Sequence, residues 1–188
     1  MGKITTHTHP NQTLYTAQQI GLSIIMASAI FAVIMLVVFA FVLNLPLFAL
    51  MAIFVLGISS YVLMGIVNTP PITLSDEGIT LQPFVGGERQ IAWHEIETVA
   101  PYPLLPQPNQ EVLKQAMIGR NNYQAAEGIL LVVPSLPFPY RIAGALAGEK
   151  GAPIIALTNR THTDYETLVT RIHRNAPHAI REDTPLED

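Results

Sequence analysis

Between Lys3 and Asp76 the chain has no Lys, Arg, Asp or Glu. No other feature restricts the fold as much, because a stretch this long without charge belongs in lipid unless a protein core swallows it. Two apolar runs fill it. Residues 20–43 contain only Ser23 and Ser28 as polar side chains, and residues 47–67 follow after Asn44-Leu45-Pro46. At about 1.5 Å per helical residue, each run covers a hydrocarbon core of about 30 Å. The proline and the few turn residues make the two helices antiparallel. The reading is a two-helix transmembrane hairpin over 20–67, preceded by a polar tail over 1–19. The first run is too long for the apolar segment of a cleaved signal sequence and is read as a permanent anchor.

A short turn places the tail and everything after residue 67 on one side of the bilayer. Basic residues near the ends of the spans decide that side. Lys3 falls in the counted zone, Arg89 falls just beyond it, and the turn has none. The bias points to the cell inner membrane with both termini in the cytoplasm. No ionisable group lies within either run, and ion paths and proton relays normally need one, so transport by this chain alone is not expected. Ala27, Ser28, Ala29 and Ala32 in the first helix, and Gly57, Ser59 and Ser60 in the second, permit close backbone approach. That approach serves either the hairpin itself or helices of another subunit, a homo-oligomer included.

All remaining charges lie from Asp76 onward, 9 basic against 14 acidic, so this part is acidic by five. Its Lys and Arg are scattered singly, without the basic stripe that nucleic acid demands. Cysteine is absent, which removes disulfides, thiolate metal sites and cysteine nucleophiles.

Residues 70–176 read as a strand-rich soluble domain. Pro70-Pro71 ends the second helix, and residues 72–81 form two short strands around an Asp-Glu-Gly turn. Residues 89–99 place Ile91 and Trp93 in one phase and Ile96 and Val99 in another, which predicts a bulge or turn between strands. Four prolines between 101 and 110 predict a loop or an edge, and residues 111–126 a short inserted helix. Residues 128–134 and 153–158 are buried strands, with 140–147 a possible third partner. Thr163 and Glu166 have capping-box spacing. Tyr165, Leu168, Val169 and Ile172 then recur at helical intervals, predicting an amphipathic helix that lies on the sheet. Residues 177–188 read as a mobile acidic tail.

Leu74-Ser75-Asp76-Glu77-Gly78-Ile79, followed by Ile91-Ala92-Trp93-His94-Glu95-Ile96, resembles the opening of bacterial pleckstrin-homology-like (PH-like) membrane proteins. The segment from Leu157 through Thr163 to Leu168 is similar to the last strand and helix start of that group. Its members often carry a two-helix membrane hairpin before the domain. The resemblance implies a membrane α-hairpin plus an α+β domain, a sandwich or partly open barrel capped by the C-terminal helix. It also makes Trp93 a core residue and Gly78 the turn glycine, and it supplies no catalytic residue.

Neither the six histidines nor the glycines form a recognisable site. His7 and His9 fall in the tail, while His94, His162, His173 and His178 lack ligand spacing, so no metal or cofactor is expected. His94, Glu95 and Glu97 would alternate across a strand, and no nucleophile or phosphate-loop motif is present, so no enzyme is expected. The expected function is non-catalytic docking of a protein partner at the membrane surface, through Tyr102, Leu104 and Leu105 of the proline-rich loop. The alternative is an accessory subunit of a larger membrane complex.

Overall fold

The computed structural model describes residues 4–67, 69–84, 87–107, 111, 112, 116 and 123–181. Two long helices, α1 (Gln12–Val42) and α2 (Pro46–Val67), form an antiparallel hairpin, and both are long and apolar enough to cross a membrane. The helix α1 begins at Gln12 rather than at residue 20. Asn11 caps it, its Oδ1 accepting from the Leu14 N–H at 3.0 Å. At the turn, Asn44 adopts a left-handed conformation (φ 52°), and Pro46 starts α2, where its missing N–H costs nothing.

Half-buried or buried positions run along one side of each helix at spacings of three and four, among them Leu22, Met26, Ala29, Val33 and Leu36 on α1 and Ala52, Val55, Ser59, Val62 and Ile66 on α2. That spacing suits helices crossing at about 20°. The small residues divide unequally. A Cβ on Gly65 would lie 3.1 Å from Leu22 Cδ1, so the close crossing is there, whereas a Cβ on Gly57 would meet nothing within 4 Å.

Among the described residues, seven strands form two antiparallel sheets. The first runs in the order β1 (Thr5–His7), β2 (Ile72–Leu74), β3 (Gly78–Leu81), β4 (Arg89–Ala92). The second runs β5 (Thr98–Pro101), β6 (Gly128–Val132), β7 (Ile154–Thr158). The phase break after Ile91 is a single 3-10 turn, Trp93–Glu95, between β4 and β5. The sheets share no ladder, so the described residues form no closed barrel.

Ile72, Leu74, Ile79, Leu81 and Ile91 from the first sheet, with Leu130, Leu131, Ile154, Ile155 and Leu157 from the second, fill one core. Helix α4 (Tyr165–Asn175) adds Leu168 and Ile172, both fully buried, as their helical spacing predicts. Trp93 is a core residue, and its Nε1 donates to the Asp76 carbonyl at 3.2 Å, tying β4 to the turn before β3. Gly78 is required by close approach rather than by turn geometry. It pairs with Ala92, and a Cβ there would lie 2.0 Å from the Ile91 carbonyl oxygen.

Four expectations are corrected. Residues 140–147 are not a strand but most of helix α3 (Phe138–Leu146), initiated by Pro137 and Pro139 and packed against α2 and β7. The N-terminal segment is not a tail: β1 pairs with β2, from Thr5 opposite Leu74 to His7 opposite Ile72, and His7 is buried. The hairpin is therefore inserted between two paired strands of one sheet. Thr163 does not cap α4, because β1 uses it. Its N–H donates to the Thr8 carbonyl, its Oγ1 accepts from the Thr8 N–H, and its carbonyl accepts from His7 Nδ1 at 2.8 Å. Asp164, left-handed at φ 50°, precedes the helix instead. Finally, Pro177–Ala179 form a 3-10 turn and Ile180 bridges to Val99, so the start of the predicted mobile tail is ordered. Most of the helix predicted over 111–126 falls outside the described residues, as do residues 182–188 of the tail.

Candidate docking groove

Helix α4 buries Leu168 and Ile172 in the core that the two sheets share. On one flank, Pro101 of β5, Gly128 and Ile129 of β6, and Tyr165, Val169 and Thr170 of α4 line an open groove of about 550 Å³. The floor is held from behind by the loop after β7. Asn159 Oδ1 accepts from the Glu127 N–H at 3.1 Å, and its Nδ2 donates to the Ala125 carbonyl at 2.8 Å. Arg160 reaches Glu111 at 3.1 Å and stacks over the Tyr123 ring. These bonds fix where the chain enters β6.

Of the three contact residues expected from sequence, the structure separates the roles. Leu104 is 45% exposed and stands free at the surface. Leu105 is half-buried against the core, where it lines the groove and its Cδ1 would lie 3.4 Å from a Cβ on Gly128. Tyr102 is 8% exposed, so the expected exposed aromatic is a core residue. Its N–H extends the β5–β6 ladder by donating to the Gly128 carbonyl at 2.9 Å, which turns the ring inward. The groove-lining residues of α4 were assigned to the buried stripe by their spacing. Tyr165 and Val169 sit at its edge and serve both core and surface.

Glu127 and Glu166 stand at the groove margin. Burial, reinforced by the Glu127 carboxylate, pushes the Tyr165 phenol far above its usual range, so it remains a neutral hydroxyl at any physiological pH. The surface is thus apolar in the middle and anionic at the rim.

A second depression, of about 540 Å³, is lined by His94, Glu95, Glu97, Ser135 and His178. Glu95 Oε2 accepts from Ser135 Oγ at 2.7 Å and Oε1 from the Ala92 N–H at 3.3 Å, and these bonds hold the carboxyl below its usual range. A carboxylate so stabilised is a poor base for the serine it holds. Among the described residues, no group of three or more His, Asp or Glu side chains is arranged to hold a metal ion.

Two of the six histidines, His7 and His162, are buried, whereas His94 and His178 are exposed. His162 is buried, donates from Nε2 to the Pro70 carbonyl at 3.0 Å and accepts the Thr158 N–H at Nδ1. His178 Nε2 bonds the Ile96 carbonyl at 3.2 Å. Two helices fit to cross a membrane, joined to an α+β domain of two antiparallel sheets, define the class of this molecule. No family model, curated protein or solved structure matches the chain.

Proposed function

We propose that the protein is a non-catalytic, membrane-anchored module that docks a protein partner at the membrane surface. The hairpin spans the membrane, with the domain and both termini on the cytoplasmic side of the inner membrane. The order of short strands closed by one amphipathic helix supports the PH-like reading. The insertion of the hairpin after β1 and of α3 before β7 are departures from a compact version of that pattern.

The observation that carries the docking reading is the groove beside α4, apolar between Leu105, Ile129 and Val169, with Leu104 exposed nearby. Extended or helical peptides bind such grooves by burying one or two anchor side chains. The test is purification of the tagged full-length protein in mild detergent, comparing wild type with Leu104→Asp paired with Val169→Asp. Loss of a co-purifying protein from the double variant supports the assignment. Retention of every partner removes it.

The second reading, an accessory subunit of a larger membrane complex, is favoured by the free face at Gly57, where nothing lies within 4 Å of a Cβ position. Glycine lets another helix approach closely. Stoichiometric co-migration with other integral proteins, lost on Gly57→Leu, distinguishes it from surface docking.

A further inference from the structure

Helix α3 is the domain element packed against the hairpin. Its Tyr140 and Ala143 are buried in the same core as Ile66 and Val67 at the end of α2, with Val62, Leu63 and Met64 packed alongside. At the same level Gln19 of α1 donates from Nε2 to the Gly65 carbonyl of α2 at 3.1 Å. The N-terminal turn of α3 therefore lies level with the polar foot of the hairpin. Helix α1, at 31 residues, exceeds the ~20 that a bilayer core requires. Its excess is the foot.

Beside that foot the surface is aromatic and basic. Phe138, two positions before Tyr140, is 70% exposed, and Arg141 is exposed. Arg89 is placed there by the sheet register, since its partner Leu81 pairs with Ile72 and the Gln82 N–H donates to the Pro71 carbonyl at 2.9 Å, just beyond the end of α2. Arg89 pairs with Leu81 to close the turn that carries Phe84, which is 42% exposed. The neighbouring Glu88 accepts from Gln82 Nε2 at 3.4 Å, a neutral partner that leaves its charge in place, so the net positive charge of the surface comes from Arg141. A sequence count of basic residues near the spans passes over Arg89 and Arg141, since only the fold brings them to the foot.

We infer that this surface is a second membrane contact, in which Phe138 and Phe84 enter the bilayer interface while Arg141 and Arg89 meet the phosphates of anionic phospholipids. Aromatic rings favour that depth, and basic side chains are drawn to an anionic surface. The occupant is lipid because α3 packs on the end of α2, and the sheet end that carries Arg89 lies beside Pro71 and Ile72, directly after α2, so both sit where the hairpin meets the headgroups. The contact is intramolecular once the hairpin is inserted, so it costs little further entropy. The inference rests on the hairpin spanning the membrane and is independent of what the α4 groove binds.

The absence of cysteine allows single nitroxide labels to be placed on the full-length protein. Labels at Phe138→Cys, Ile34→Cys and Glu166→Cys would be compared in nanodiscs of phosphatidylcholine, with and without phosphatidylglycerol. Collision rates with oxygen, which partitions into lipid, and with a water-soluble nickel chelate report depth. The expected result is a label at 34 among the acyl chains, one at 166 in water, and one at 138 at headgroup depth. The oxygen-to-nickel ratio at 138 should be severalfold above that at 166, rising with phosphatidylglycerol, and Arg89→Glu with Arg141→Glu should abolish the rise. A label at 138 as nickel-exposed as that at 166, with 34 still in the acyl region, overturns the inference and leaves the hairpin reading intact. Immersion at 138 that ignores both phosphatidylglycerol and the charge reversals overturns the anionic-lipid part. Nickel exposure at 34 removes the hairpin reading and this contact together.

Discussion

His162 donates from Nε2 to the carbonyl of Pro70 at 3.0 Å, joining the loop after β7 to the two-proline step that leads out of α2. Next to it Thr163 bonds β1, the strand that leads into α1. One short loop thus grips the chain on both sides of the hairpin. The domain and the hairpin feet are mechanically coupled, and a ligand that reorders residues 158–163 would be felt at both helices.

The coupling is sensitive to acid. The donor at Nε2 and acceptor at Nδ1 require a neutral ring, and burial lowers the His162 pKa to about 4. An unfolded histidine titrates near 6.5, so below that pH the unfolded chain binds the extra proton first. The contribution is complete above about pH 6.5 and is lost as pH falls toward 4, by about 3 kcal/mol over the whole window. Thermal unfolding of the detergent-solubilised protein should therefore drop steeply between pH 6.5 and 4. His162→Gln, which keeps a donor and an acceptor, should flatten that slope. An unchanged slope in the variant would remove His162 as its source.

The strand β1 depends on His7 as a bolt. Its Nδ1 donates to the Thr163 carbonyl at 2.8 Å, and Arg171 adds a bond to Thr5 Oγ1 at 3.0 Å. His7→Ala should cost about 1–3 kcal/mol, the range for stranding a buried partner. Hydrogen exchange at Thr73 and neighbouring β2 amides should quicken while β6 and β7 stay protected. Uniform protection in the variant would show that the ladder alone holds the strand.

How far the sequence discloses this fold follows from what each signal depends on. The hairpin, the turn at 75–78, the strands β6 and β7 and the stripe of α4 are local patterns, and they were legible. The strand β1 was hidden because Thr5-Thr6-His7-Thr8 carries no apolar alternation, and its partner lies across the whole hairpin. The β-branched threonines were the available signal. Helix α3 was misread because a short apolar run fits either element, although Pro137, Pro139 and the alanines favoured a helix start. Tyr102 was misplaced because proline-rich loops read as exposed, while its N–H in fact extends the β5–β6 ladder. Of the two leucines expected to be exposed, Leu104 is exposed and Leu105 is half-buried against the core.

Those three neighbours should separate cleanly on mutation. Tyr102→Ala opens a cavity in the core and should destabilise by about 3–5 kcal/mol. Leu104→Ser trims a side chain that is 45% exposed and should stay within about 1 kcal/mol of wild type. Thermal shift in detergent reads both. If Leu104→Ser melted as early as Tyr102→Ala, the loop would be packed rather than presented, and its use as a docking lip would fail.

Two glycines give the sharpest contrast, since the same added methyl should do opposite things. At Gly78 a Cβ would sit 2.0 Å from the Ile91 carbonyl oxygen, and both atoms belong to paired backbones that cannot yield separately. Gly78→Ala must push β3 from β4 and loosen Trp93 from Asp76, costing about 3 kcal/mol or more, at the upper end of overpacking. At Gly57 the Cβ meets open space, and alanine is the better helix former by about 1 kcal/mol. Gly57→Ala should therefore leave the isolated protein as stable as before or slightly more so. If Gly57→Ala instead destabilised the natively purified assembly while sparing the isolated chain, another helix would be packed on that face and the accessory-subunit reading would gain over surface docking.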